Sequence, residues 1–214
     1  MSLKPVLLAG LALTLVIPRA QAQFAQQGGK LVGAGAVGAA SQGVSAALSA
    51  DGNTAIVGGI DDNGSIGALW VYTRTGGVWS QQGPKLVGTG SVGSPVYQGW
   101  SVALSADGNT AIEGGFYDNN WVGAAWVFTR TGGVWSQQGP KLIGAGAAGP
   151  ARQGSAVALS ADGNTALVGG FQRGPRQAQP VDVLFQYVPG KHRLQLGIGL
   201  GEVGNFGFQS GKQI

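Results

Sequence analysis

The feature that most restricts the fold of this chain is a phrase of eight residues, LSADGNTA, that occurs three times. The copies lie at Leu48–Ala55, Leu104–Ala111 and Leu159–Ala166. The longer units around them begin at Gln26, Gln81 and Gln137, so successive units are 55 and 56 residues apart. Internal repeats of this length are typical of arrays such as propellers, in which each unit buries its apolar face against its neighbours.

Each unit predicts four short antiparallel strands. In the second copy they are expected at residues 101–105, 110–115, 123–130 and 134–144. Asp and Asn can satisfy their own backbone groups and Gly accepts a positive φ, so LSADGNTA predicts a hairpin tip between the first two strands. The phrase TRTGGVW predicts a second hairpin between the third and fourth strands.

Tryptophans recur at fixed places in the units. Trp70 and Trp126 fall on the predicted third strand, and Trp79 and Trp135 on the fourth. Stacking of sugars is one interpretation, but identical spacing favours packing between neighbouring sheets, where each ring buries about 150–250 Å². Propellers close with about 4–8 blades, so the sequence predicts an all-β, propeller-like array of four-stranded antiparallel blades that is incomplete, at about 2.5–3 blades.

The start of the chain has the pattern of a secretory signal. A short basic start is followed by an apolar run and by Ala20-Gln21-Ala22, which predicts a signal peptide at residues 1–22 with cleavage after Ala22. We therefore expect a secreted, periplasmic or cell-surface protein. The apolar run is shorter than the roughly 20 residues of a spanning helix, so no membrane span is expected after signal removal; an N-terminal anchor is the alternative.

The repeats are predicted to fill residues 23–171, as units at 26–80, 81–136 and, in part, 137–171. Residues 172–214 form a divergent tail without the motif. Two interpretations of this tail stay open. In one it supplies missing strands, because VDVLFQYV and RLQLGIGL flank PGKH as in a hairpin. In the other, which we favour, it is disordered or read from an altered frame, because motif and charge balance change at one point.

Charge and reactive residues exclude several classes of function. The net charge is +4, but the surplus lies in the tail, so the repeats lack the basic stripe that nucleic-acid binding requires. The chain has no Cys, and therefore no thiolate metal site or Cys nucleophile. Its only histidine, His192, lies in the tail. We predict no catalytic site and no cofactor.

Two long segments carry a family resemblance. QGVSAALSADGNTAIVGGIDDNGSIGALWVYTR at 42–74 and QGWSVALSADGNTAIEGGFYDNNWVGAAWVFTR at 98–130 resemble FG-GAP repeats, the blades of integrin-α-type β-propellers, in their bacterial secreted variety. The resemblance covers residues 26–171. It implies a secreted or surface-exposed propeller that serves as a binding or structural module.

FG-GAP blades often carry a calcium loop between the first two strands. Here each such loop offers one carboxylate, from Asp51, Asp107 or Asp162, whereas Ca²⁺ takes about 6–8 oxygen ligands. We therefore predict no metal site at these positions. The next loop, DDNG at 61–64, predicts an Asx-type turn rather than a metal site.

Ligand contacts are expected where the copies differ, because matching positions serve the fold. The second copy has aromatic residues at three loop positions where the first has small or acidic ones: Tyr97 for Ser41, Tyr117 for Asp61 and Trp121 for Ser65. Aromatic residues in loops favour contacts with carbohydrates or cell-surface proteins. The alternative is that these rings cover the neighbouring blade.

The sequence thus predicts an exported, non-catalytic binding, adhesion or scaffold module. Unpaired strands at the ends of an incomplete array also predict self-association through open blade edges. Two alternatives remain: a truncated fragment of a longer repeat protein with no independent function, or a propeller lyase or hydrolase.

Overall fold

The computed structural model describes residues 25–144 and 149–171, together with the backbone of two strands at 185–188 and 191–196. The predicted signal peptide, the side chain of His192 and most of the tail lie outside the described residues. Within this part the chain is an all-β, propeller-like array of antiparallel sheets, as the repeats predict.

The first two units form complete four-stranded sheets in sequence order. Blade 1 consists of β1 Gln42–Leu48, β2 Thr54–Gly59, β3 Ala68–Thr75 and β4 Val78–Gln81, with the short helical turn α1 Asp62–Ser65 before β3. Blade 2 consists of β5 Ser101–Leu104, β6 Thr110–Gly115, β7 Ala124–Thr131 and β8 Val134–Gln137, with the turn α2 Asp118–Trp121 before β7. Both sheets are antiparallel throughout, in matching register from their second to their fourth strands.

Blade 3 is smaller in the described part of the chain. It consists of β9 Ala156–Leu159 and β10 Ala166–Gly169, which form a two-stranded antiparallel sheet. The predicted hairpin of the tail is present in the backbone as β11 Phe185–Val188 and β12 Lys191–Leu196, a separate sheet in which Val188 pairs with Lys191.

The predicted fourth strand, 134–144, is too long. Strand β8 ends at Gln137 because Gly139 adopts a φ of 68° and Pro140 has no N–H to donate. The chain then returns to its own sheet for one bridge, in which the N–H of Leu142 donates to the carbonyl oxygen of Ala125 at 2.7 Å. Leu86 makes the equivalent bridge to Leu69 in blade 1.

Tryptophan packing between blades is confirmed for Trp126. This fully buried ring belongs to a cluster that draws on both sheets: Ile56, Leu69, Val71 and Leu86 from blade 1 and its trailing segment, with Val96, Ala111, Ala124 and Phe128. Alternate residues of β7 face the other way, so that Ala125 and Val127 pack against Ala166 and Val168 of blade 3. Blades 1 and 2 therefore bury both faces of their third strands.

A glycine-rich segment before each of blades 1 and 2 covers the tryptophan of that blade's third strand. In blade 2 a Cβ at Gly88 would collide with the Trp126 ring, so only glycine allows this close approach. The ring Nε1 donates to the carbonyl oxygen of Thr89 at 2.8 Å. Gly33 and Ala34 cover Trp70 in the same way. We call residues 30–40 and 85–96 the roof segments.

The hairpin predicted from LSADGNTA is confirmed. In blade 2 the Asp107 Oδ1 accepts hydrogen bonds from Ser105 Oγ at 2.5 Å and from the Asn109 N–H at 3.0 Å, and Gly108 has a φ of 68°. Neighbouring tips are also linked, because the Ala50 N–H donates to Ala106 O and the Ala106 N–H donates to Ala161 O, both at 2.9 Å. The repeated phrase thus closes each hairpin and joins it to the next.

Candidate functional site

Five aromatic side chains gather at the end of blade 2 opposite the hairpin tips. They come from the loop that leads into β5 and from the connection between β6 and β7. We call this group the aromatic cluster: Tyr97, Trp100, Phe116, Tyr117 and Trp121. It contains all three ligand-binding residues predicted from the sequence.

The predicted residues lie close together in the cluster. The ring centroids of Tyr117 and Trp121 are 3.8 Å apart, and those of Tyr97 and Tyr117 are 5.7 Å apart in an edge-on arrangement. Phe116 lies among them, 5.6 Å from Tyr97 and 4.6 Å from Trp100. The distances from 4.6 to 5.7 Å are those of favourable aromatic pairs, and Tyr117 and Trp121 lie closer than that range.

Phe116 and Trp100 belong to the cluster but were not predicted from the sequence. A signal for Trp100 was available, because the matching positions hold Val44 and Ser155, so it varies among the copies just as Tyr97 does. Phe116 matches Ile60 and Phe171, all apolar, and gave no such signal. Trp100 is 39% exposed, so part of the cluster's ring surface is open to solvent.

A buried ion pair holds the turn that carries Tyr117 and Trp121. Asp118, fully buried, pairs with the Lys141 ammonium, and its Oδ1 accepts the N–H of Val92 at 2.7 Å. Within the turn, Asn119 and Asn120 take left-handed φ values of 50° and 54°. These contacts tie the β6–β7 connection to the roof segment and to the segment that trails β8.

Blade 1 repeats this arrangement without the rings. Asp62 pairs with Lys85, and its Oδ1 accepts the N–H of Val37 at 2.7 Å. The Asx-type turn predicted for residues 61–64 is wrong, because neither aspartate side chain accepts a backbone N–H of this loop. The Asp62 carboxylate bonds to distant segments, and that of Asp61 accepts the hydroxyls of Ser41 and Ser65. Both ion pairs were missed, because 23 residues separate Lys85 from Asp62 and nothing in the sequence marks them as neighbours.

Arg152 of blade 3 adjoins the cluster. Its backbone N–H donates to Trp121 O at 2.7 Å, and its guanidinium carbon lies 4.3 Å from the Trp121 ring centroid and 5.1 Å from that of Phe171. The residue is 9% exposed, and its Nη1 has no hydrogen-bond partner in the part of the chain that the structure describes. Arg152 occupies the position of Tyr97 and Ser41 in the other copies, so it too varies among them.

Glu113 is the one acid of blade 2 that is buried without a partner in the described structure. Neither carboxyl oxygen has a hydrogen-bond partner, and burial raises the pKa of Glu113 to about 8. The group is therefore largely protonated at neutral pH. Val57 and Val168 fill the matching positions. A single enclosed carboxyl does not provide the paired acid and base of a hydrolase.

The aspartates of the hairpin tips use their oxygens locally. The side-chain hydrogen bond from Ser49, with bonds from Asn53, lowers the pKa of Asp51 to about 2, and the corresponding serine bonds lower the pKa of Asp107 and Asp162. Over residues 25–144 and 149–171, no three metal-binding side chains come together in one group.

No known family matches the chain, and no curated protein matches it. The helical turns of the described segments are all too short to span a membrane.

Proposed function

We propose that this protein is an exported, non-catalytic module for binding, adhesion or scaffolding, built from FG-GAP-type blades, and that its ligand binds at the aromatic cluster. The observation that carries the proposal is that blades 1 and 2 form the same connection between their second and third strands but place different side chains on it. Blade 2 has Tyr117 and Trp121 where blade 1 has Asp61 and Ser65.

The turn between the second and third strands forms with and without aromatic side chains. In both blades an aspartate–lysine pair fixes the turn and a roof-segment N–H bonds to the aspartate. The rings of blade 2 are therefore not needed to build the turn. Ring surface placed on a rigid scaffold at a loop end is a common way to form a binding site.

The partners that fit this surface are carbohydrates or cell-surface proteins. Aromatic rings provide a large contact area at low conformational cost, and tyrosine adds a hydroxyl for hydrogen bonding. Export is supported by the signal pattern of residues 1–22, which would place the module outside the cell.

The test is to give blade 2 the residues of blade 1. We expect the Tyr117→Asp/Trp121→Ser variant to lose at least about tenfold in affinity on a glycan array or in pull-downs from cell-surface extracts, equal to about 1.4 kcal/mol. The matched control is Val134→Ser, at a position 70% exposed on the β7–β8 hairpin and distant from the cluster. Unchanged binding by the double variant, with wild-type circular dichroism, would count against the proposal.

A second candidate follows from blade 3. Its sheet has two strands in the described residues, and the repeat motif stops after Phe171, which favours a fragment of a longer repeat protein with no independent function. Sequencing the surrounding DNA tests this directly. Further repeats encoded downstream in another frame would support the fragment, and their absence would favour the module.

A further inference from the structure

Arg152 differs from the other arginines of the described structure. Arg74 and Arg130 donate from Nε to Asn53 and Asn109, at 3.1 and 2.9 Å, and from Nη1 to a glutamine oxygen. Arg152 forms no ion pair in the described segments, and its buried Nη1 has no acceptor. Among the described residues, the cation therefore lies next to the aromatic cluster without an anion.

Its surroundings compensate for this charge only in part. Contacts with the Trp121 and Phe171 rings supply cation–π attraction. They do not supply the oxygen acceptors to which guanidinium N–H groups bond most strongly, and a buried donor without an acceptor is unfavourable. A carboxylate meets this need, since its two oxygens match the guanidinium fork.

We propose that Arg152 and the aromatic cluster together bind the uronate units of an acidic polysaccharide. This inference rests on the proposed function and adds the class of ligand. A uronate ring combines an apolar C–H face, which packs on an aromatic ring, with a carboxylate at its edge. The Arg152 guanidinium lies over the Trp121 ring, 4.3 Å from its centroid, so a carboxylate bound at the guanidinium would lie at the edge of the aromatic cluster.

An acidic peptide fits this surface less well. Its carboxylates are carried on flexible side chains, and binding would immobilise them at an entropic cost. A pyranose ring is rigid and presents its carboxylate at a fixed distance from its apolar face. The partly exposed Trp100 ring, 4.6 Å from Phe116, extends the aromatic surface for a neighbouring sugar unit.

The repeats show which substitutions the fold accepts at this position. Ser41, Tyr97 and Arg152 occupy matching places and have similar left-handed φ values of 50°, 62° and 51°. The backbone therefore forms with serine, tyrosine or arginine. Arg152→Ser and Arg152→Tyr are variants in which the charge is removed while the loop is kept.

The experiment compares polygalacturonate with its fully methyl-esterified form, which has the same sugar backbone without charge. We expect calorimetric titration of the full chain to show about tenfold or more tighter binding of polygalacturonate. Arg152→Ser and Arg152→Tyr should lower that affinity to the level of the ester, whereas Trp121→Ser should weaken both polymers. The control Lys30→Gln removes the same charge from an exposed side chain outside the cluster and should bind like the wild type.

The other possible binding results would each overturn a different part of the inference. Equal binding of both polymers, still lost in Trp121→Ser, would overturn the role of Arg152 and leave the proposed function standing. Equal losses in Lys30→Gln and the Arg152 variants would reduce the effect to non-specific attraction and overturn the site. Equally tight binding of polyglutamate would overturn the choice of sugar over peptide. If neither polymer binds, the inference fails, and the glycan array decides separately on the proposed function.

Discussion

Blades 1 and 2 have the same strand order and the same tips, roofs and ion pairs, yet they differ in the side chains at the loop end and at several interior positions, one of which exchanges an aliphatic side chain for a carboxyl. Blade 1 has Asp61 and Ser65 at the loop end and Val57 inside, and blade 2 has Tyr117, Trp121 and Glu113. The shared contacts are backbone bonds, buried ion pairs and tryptophan packing, which build the sheet. The shared residues form a blade, and the differing residues distinguish one blade from the other. Each prediction tests one of these two groups.

The largest effect is expected at the junction between the blades. Trp126→Ala should lower the free energy of unfolding by about 3–5 kcal/mol, because the ring fills a cluster formed by two sheets. Trp70→Ala should cost less, since the Trp70 cluster draws on blade 1 and its roof segment and on no second sheet of the described structure. Urea unfolding of both variants measures the difference. Equal costs would show that contact between blades adds nothing.

Glu113 should make the stability of blade 2 depend on pH. Its pKa in the folded protein is about 8, against an ordinary value of 4.5, so between these values the folded state holds a proton that the unfolded state has released. Stability is therefore greatest below the ordinary value and falls by about 1.4 kcal/mol per pH unit until pH passes the folded-state pKa.

Glu113→Val, which copies blades 1 and 3, should remove this slope and stabilise the protein most at alkaline pH. Val57→Glu should introduce a similar slope into blade 1 if its site is equally closed. Urea titrations at pH 5, 6.5 and 8 report both. A wild-type curve that is flat across this interval would show that the Glu113 carboxyl reaches water or a partner.

The hairpin tips should behave alike in the two blades. Asp107→Ala removes the acceptor for Ser105 and Asn109 and should cost about 1 kcal/mol, since the group is exposed. The pKa of Asp107 is lowered in the folded protein, so this contribution is present above its ordinary pKa and is lost as pH falls through the lowered one. Thermal unfolding at pH 7 and below pH 3 checks the sign, and a cost that persists at the acid end would contradict it.

The smallest effect on stability is expected where the effect on binding should be greatest. Tyr117→Asp/Trp121→Ser should change the free energy of unfolding by less than about 1 kcal/mol, because blade 1 forms the same turn with these residues. Urea unfolding at pH 7 measures it. A larger loss would mean that the rings serve mainly to cover blade 3, the alternative left open by the sequence.

The sequence predicted those features that depend on local pattern. Alternating apolar residues, the Asp-Gly-Asn tip and the repeated tryptophans gave the strands, the first hairpin and the packing of Trp126. The fourth strand was predicted too long because the prediction gave more weight to the apolar residues of 134–144 than to the effect of Gly139 and Pro140 on the backbone. Arg152, Glu113 and the aspartate–lysine pairs could not be predicted as they are, since their burial depends on segments far away in the chain.

Because of the roof segments, the two ends of the array differ in how a further unit could be added. Leu86 bonds back to the blade before it, while Gly88, two residues on, covers the tryptophan of its own blade. A gene duplication that copies one period, starting at Gln81, would therefore add a new sheet. With it would come the roof segment that covers its tryptophan and the leucine that bonds to the preceding sheet. In the described structure no sheet precedes blade 1, and Leu31 is 41% exposed where Leu86 is 9% exposed. Adding a unit at the carboxyl end thus adds a complete contact between two blades. Loss of the first unit would instead expose Leu86, the residue that matches Leu31.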